Sequence, residues 1–271
     1  MNAEQNYIEL NRRAWNNQVE PHINSDFYNM KGFLAGETSL NSIELEMLGD
    51  IKGKKVLHLQ CHFGQDTLSL ARMGAEVTGV DLSDVAIDKA KQLNQDLGLA
   101  VKFVCCDIYD LPNHLDEKFD IVFTTYGTIG WFPDLDKWAS LISKYLKLEG
   151  KFVFVDFHPF VWMYDNDFTK FEYSYFKKEA IVETENGSYA DRDSDLERTT
   201  VGWNHSISEV VNSLLNNGIQ ISALDEFDFS PYNCFKNMEE FEPKKYRIIN
   251  FEDKLPLVYS IKGVKKKTQS N

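Results

Sequence analysis

Between residues 55 and 155 short apolar runs alternate with helical patterns, and few architectures accommodate that rhythm. Residues 55–59, 76–80, 101–105, 119–124 and 151–155 are each apolar and of strand length. Helical patterns separate most of them. One passes through Leu68 to Arg72 and is closed by Gly74 in a left-handed conformation. Another is capped by Ser83, carries the stripe Ile87, Ala90, Leu93 and Leu97, and stops at Gly98. A third is marked by Trp138, Leu141, Ile142 and Tyr145 and ends at Gly150. Strands separated by helices imply a parallel sheet with helices on its faces. Further on, Ser206-Ile-Ser-Glu209 reads as a capping box opening a helix through Val210, Val211, Leu214 and Leu215 to Gly218. Runs 219–227 and 255–261 follow with no crossover helix between them, so they pair antiparallel. The expectation is an α/β, Rossmann-like, doubly wound sheet of about seven strands.

The flanks carry the elaborations. Residues 1–50 are expected to form an N-terminal helical lid on a domain spanning 51–271. Within the lid, a helix from Tyr7 through Val19 is ended by Pro21, and a second over 40–48 is capped by Ser39 or Asn41. His22, Phe27, Tyr28 and Phe33 fall in a loop between them. The rhythm breaks again at about 160–205, where Tyr173, Tyr175, Phe176, Ile181 and Val182 suggest short antiparallel strands and a small β-rich cap.

Composition removes several classes of function. A hydrophobic content of 43% supports a packed core rather than a disordered chain. No run reaches the roughly 20 apolar residues of a membrane helix, and the first residues lack the pattern of a secretory signal. A cytoplasmic protein without a membrane partner is expected. The net charge of −13 repels phosphate backbones, so nucleic acid is not expected as a partner. The cationic run Lys265-Lys266-Lys267 reads as a solvated tail. Cys61, Cys105, Cys106 and Cys234 lack CxxC spacing and read as free, mostly buried thiols. Oligomeric state is left open.

Ligands of doubly wound sheets bind beyond the carboxyl ends of the strands. The residues there are Gln60 to Asp66 after the first strand, Asp81 after the second, Asp107 after the third, and Thr125-Tyr126-Gly127 after the fourth. A carboxylate ending the second strand suits two ribose hydroxyls. A dinucleotide also needs G-x-G-x-x-G for its pyrophosphate, and here the first loop holds only Gly64, which argues against a nicotinamide-dependent oxidoreductase. Asp107 is placed to accept from an adenine amino group. The pair favours an adenosine ligand without a pyrophosphate.

At these residues the chain resembles the class I S-adenosylmethionine-dependent methyltransferases, over residues 53–157 and again over 206–262. The first motif of that family, V-L-D-L-G-C-G-x-G, aligns with Val56-Leu57-His58-Leu59-Gln60-Cys61-His62-Phe63-Gly64. His58 replaces the acid, and Gln60 and His62 replace two glycines. The stretch from Leu57 to Thr67, with Gly79-Val-Asp81, Trp131-Phe-Pro-Asp134 and His158-Pro159, looks like a distinct small-molecule branch.

The resemblance implies S-adenosyl-L-methionine as cofactor. Asp81 would meet the ribose, Asp107 the adenine amino group and Ile108 the adenine ring, and Leu82 and Thr125 would also contact the cofactor. Gln60 and His62 would bond the amino-acid end with their side chains, alongside Gly64; the alternative is that they point into the protein and only Gly64 touches ligand. His58, Cys61 and His62 lack the further ligands of a metal site, so none is expected. If the acceptor must lose a proton, His158 is the first candidate base and His205 the second. Tyr126 and Trp131 would line the transfer channel. Trp15, His22, Tyr28 and Tyr189 would close over a small or planar acceptor. The expected function is methyl transfer to a small molecule. The altered motif leaves two alternatives: a catalytically inactive S-adenosylmethionine-binding regulator and, through the cap surface, a protein-interaction module.

Overall fold

The computed structural model describes residues 4–192 and 194–267. The chain opens with helices α1 (Tyr7–Asn24), α2 (Met30–Leu34) and α3 (Ser42–Leu48). There follow β1 (Lys55–Leu59), α4 (Gln65–Arg72), β2 (Glu76–Asp81), α5 (Asp84–Asp96), β3 (Lys102–Cys105), β4 (Phe119–Thr125), α6 (Leu135–Tyr145) and β5 (Leu146–Phe157). The remainder comprises hairpin β6 (Ile181–Asn186) and β7 (Glu197–Gly202), then α7 (Ile207–Asn216) and β8 (Ile219–Phe227). Hairpin β9 (Met238–Glu242) and β10 (Lys245–Ile248) and the final strand β11 (Val258–Lys265) complete it.

Seven strands form one sheet in the order β3-β2-β1-β4-β5-β11-β8. Five run parallel, and β11 lies antiparallel between β5 and β8. Alternation along the strands feeds two cores. Leu57, Leu59, Val122, Phe152 and Phe154 meet α6 and α7 through Trp138, Ile142, Val210 and Leu214. Val56, Val77, Ile121, Phe123 and Val153 meet Leu68, Leu70, Ala86 and Leu93 on the opposite face. That two-sided burial is the doubly wound arrangement the sequence implied.

The differences lie in the flanks. Helix α1 runs through Pro21, which removes a hydrogen-bond donor and crowds the preceding turn. The last turn is held by tertiary contacts: His22 is fully buried, stacked on Tyr28, and the helix ends at Ser25, whose hydroxyl donates to His22 O at 2.6 Å. The expected loop is thus largely helical, since His22 lies in α1 and Phe33 in α2. Asn41 caps α3 with a full capping box through Glu44, whereas Ser39 bonds Ser69. Leu48 and Ile51 join the sheet core, so α3 packs as part of the wound layer.

The cap differs too. Tyr173, Tyr175 and Phe176 are not in strands, and Phe176 is 62% exposed. Among the described residues there, β6 and β7 pair and Tyr164 bridges Phe171, and β9–β10 form a second hairpin between β8 and β11. Residues from both insertions share one small core of Val161, Phe168, Ile248, Leu255 and Leu257. At α7 only half of the expected box forms. Ser206 Oγ accepts from Glu209 N, while the Glu209 carboxylate turns to His205. Cys61 and Cys106 are buried, but Cys105 is exposed.

Candidate active site

The loop leaving β1 keeps the backbone of a glycine-rich turn without most of the glycines. Gln60 has φ 55°, His62 φ 49° and Gly64 φ 80°. An L-residue in this left-handed region costs about 1–2 kcal/mol, so Gln60 and His62 sit where glycine would be relaxed. Gly64 itself is required by packing. A Cβ there would lie 2.9 Å from the Phe103 ring and 3.0 Å from Ala90.

The two substituted side chains are half-satisfied. Gln60 Nε2 donates to Thr128 O at 2.8 Å, and its Oε1 is buried without a partner. His62 Nε2 lies 3.0 Å from His22 Nδ1, and its own Nδ1 is buried without a partner. The His62 backbone N–H donates to Asp81 Oδ2 at 2.7 Å, tying the loop to the end of β2. His58, in place of the family's acid, is buried under α4 with Nδ1 2.8 Å from Thr67 Oγ1. Burial pushes its imidazole down to about 3, so it is neutral.

Asp81 and Asp107 sit at the ends of adjacent strands. Asp81 accepts from Ser83 N at 2.8 Å as well as from His62. Burial pushes its carboxyl up to about 6, against the backbone bonds that pull it down. Asp107 accepts from Tyr109 N at 3.0 Å and caps a short 3-10 turn, and burial raises its carboxyl too. A carboxylate offers about four acceptor sites, so both keep capacity for a ligand. Leu82, Ile108 and Thr125 line the same cavity, with Ile108 also part of the sheet core.

Beyond β4 the chain reverses at Tyr126 (φ 41°) and Gly127. The organiser of this loop is Asp156, which the sequence reading missed. Its carboxylate accepts from Gly127 N, Thr128 N, Thr128 Oγ1, Ile129 N and Phe157 N. A charged residue within the apolar run Val153-Phe-Val-Asp156-Phe was the available signal. Trp131 Nε1 donates to Gly127 O at 2.6 Å, and Tyr126 OH donates to buried Glu44 Oε2 at 2.9 Å.

The expected bases fare differently. His158 is absent from the cavity wall. Its Nδ1 accepts from Phe160 N at 3.1 Å, and its Nε2 lies 2.8 Å from Glu226 Oε1, so both nitrogens hold the cap in place. Its assignment as base is corrected to a structural one. His205 does line the cavity, but Nε2 donates to Phe132 O at 2.8 Å and Nδ1 lies 3.1 Å from Glu209 Oε1.

The aromatic residues converge. Trp15 meets Trp131 edge-on at 5.6 Å and His62 at 5.4 Å, and the Tyr28 and Tyr189 hydroxyls are hydrogen-bonded. Tyr232 stacks on Phe27 and accepts from Asn41 Nδ2, a contribution from the second hairpin region that sequence alone did not suggest. Together with Asp81, Asp107, Gln60, Gly64 and Asp66 they line one cavity of about 1290 Å³, whereas His22, expected to close over the acceptor, is fully buried behind His62 and off the cavity wall. Among the described residues no group of three His, Cys, Asp or Glu is placed to hold a metal ion. No helix among them is long and apolar enough to cross a membrane.

Residues 56–150 match a family model described as a methyltransferase domain. That stretch runs from β1 to the first residues of β5, and takes in the loop after β1, Asp81 and Asp107. It is 35% identical over 137 residues to an uncharacterized methyltransferase of Synechocystis sp., covering 48% of this chain and 60% of that one. It is 31% identical over 132 residues to a ubiquinone biosynthesis O-methyltransferase of Coxiella burnetii, covering 48% and 56%. The matches thus span less than two thirds of these relatives' lengths. Geranyl diphosphate C-methyltransferase of Streptomyces coelicolor shares the fold at a TM-score of 0.60 and 17% identity, over 96% of this chain and 98% of that one. A putative S-adenosylmethionine-dependent methyltransferase of Listeria monocytogenes does so at 0.56 and 20%, over 82% and 95%.

Proposed function

We propose that this protein transfers a methyl group from S-adenosylmethionine to a small-molecule acceptor held in the aromatic part of the cavity. The observation that carries the reading is the pair Asp81 and Asp107. They are half-buried carboxylates with acceptor capacity to spare, at or just past the ends of β2 and β3, on the wall of one large cavity. Asp81 would hold the ribose hydroxyls and Asp107 the adenine amino group, with Ile108 and Leu82 against the ring system. Gln60 Oε1 and His62 Nδ1, buried without partners, suit a zwitterionic amino-acid end. The bound cofactor supplies an activated methyl on a positively charged sulfur.

A pocket of about 300–1000 Å³ is usual for one ligand, so a cavity of about 1290 Å³ gives room for an acceptor beside the cofactor. The chain contributes alignment and exclusion of water through Trp15, Trp131, Tyr28 and Tyr189. With His158 outside the cavity, His205 is the candidate base left on its wall: its Nε2 donates to Phe132 O, and its Nδ1 is buried without a hydrogen-bond partner. The names of two similar proteins, for ubiquinone biosynthesis and for geranyl diphosphate, support a small-molecule acceptor.

The test is release of S-adenosylhomocysteine from S-adenosylmethionine across a panel of small phenols, amines and thiols. Turnover on at least one, lowered about tenfold or more in kcat/KM by Trp15→Ala, supports the reading. Tight cofactor binding with no turnover on any acceptor favours the inactive-regulator alternative raised by the altered motif.

A further inference from the structure

The hydrogen bonds around His22 determine which nitrogen of His62 carries its proton. Ser188, just after β6, lies in a turn where its Oγ accepts from Ala190 N at 3.3 Å and from Asp191 N at 3.1 Å. Those two donors fill both lone pairs of the hydroxyl oxygen. The Ser188 proton must then go to His22 Nε2, 3.1 Å away. Burial pushes the His22 imidazole down to about 3, so the ring is neutral and its single proton sits on Nδ1. That proton faces His62 Nε2 at 3.0 Å, which therefore accepts. His62, also kept neutral by burial, is left with its proton on Nδ1. This N–H has no partner in the protein, on a ring that lines the cavity.

We propose that Ser188 and His22 are positioning residues that lock His62 as an Nδ1–H donor to the carboxylate of the cofactor's amino-acid end. The inference rests on the function proposed above. Three parts of the chain meet in this relay: the cap hairpin through Ser188, α1 through His22, and the loop after β1 through His62. A glycine at position 62 could not take part. The strained side chain there thus replaces backbone recognition with a donor whose direction depends on the cap.

The experiment compares S-adenosylhomocysteine with 5′-methylthioadenosine, which lacks the amino-acid end. Calorimetric titration is run on the full chain and on His62→Phe, Ser188→Ala and His22→Phe, and nitrogen-15 NMR reads the histidine rings. The wild type should show His62 protonated at Nδ1 and prefer S-adenosylhomocysteine. In His62→Phe that preference should shrink about tenfold, the loss expected for a hydrogen bond to a charged group, with methylthioadenosine affinity unchanged. Ser188→Ala and His22→Phe should shift it the same way and redistribute the His62 proton. Retained methylthioadenosine binding shows that each variant is folded. The proposal is overturned if His62 is protonated at Nε2 in the wild type, or if both ligands lose affinity equally. A wild type that binds neither ligand overturns the proposed function itself, and the donor role with it.

Discussion

Asp81 carries a charge that the free protein accommodates poorly. Its carboxyl is raised by burial to about 6 from an ordinary value near 4. The folded state therefore holds this proton more tightly than the unfolded chain. Between about pH 4 and 6 the group makes the free protein less stable as pH rises, because ν_U − ν_N is negative there. Ribose hydroxyls donate to the ionised form, so binding of S-adenosylhomocysteine should strengthen as pH rises from 5 to 7. That slope should vanish in Asp81→Asn, as read by titration at several pH values; an unchanged slope would dismiss Asp81 as its source. Burial raises the Asp156 carboxyl as well, against a ring of backbone donors that pulls it down. Asp156→Asn puts an amide NH₂ against some of those N–H groups and should cost about 3 kcal/mol in urea unfolding. A loss under about 0.5 kcal/mol would show that the loop is held otherwise. Asp81 and Asp107 were legible because strand ends are where such folds bind ligand. Asp156 was not, because its partners come from another strand's loop and adjacency in sequence does not reveal them. His158 misled for a similar reason: it follows a strand as a base would, but Glu226, 68 residues away, claims its Nε2.

Among the elements, α1 is attached to the cap by an unusual device. The Asn11 side chain pairs with β7, donating to Val201 O and accepting from Val201 N, both at 2.8 Å. Asn11→Ala would strand a buried N–H and C=O, and should cost about 2–4 kcal/mol. Amide exchange at Val201 should accelerate while exchange in β1 and β4 stays slow; unchanged protection at Val201 would contradict this role. The central strands were readable from apolar runs, and their helices from caps such as Ser83 and Asp134, which accept from Ala86 N and Lys137 N. What failed were rules of local sequence that tertiary contacts override. Pro21 should have ended α1, but the buried His22 carries the helix one turn further. The pattern from Ser206 to Glu209 should have closed a box, but His205 draws the carboxylate away.

The molecule as a whole joins a sheet that its sequence announced to a cap of which it announced one insertion, at about 160–205, and not the second. The order of strands follows from the alternation of runs and from the absence of a helix between the last two. The cap is built from two insertions separated by α7 and β8, and no periodicity links them; only the shared cluster around Phe168 and Leu255 does. The net charge of −13 should keep the protein off nucleic acid, so a gel-shift titration at about 0.15 M salt should show no retardation. Salt-sensitive retardation would contradict it. The central claim is that Asp81, at the end of β2, holds the cofactor. The most direct measurement is calorimetric titration of S-adenosylhomocysteine into the wild type and Asp81→Ala at pH 7. A dissociation constant of micromolar order in the wild type, weakened about tenfold or more in the variant, is the predicted result. No heat with the wild type, or equal affinity in both, would contradict it and leave the fold as the only inheritance shared with the methyltransferases.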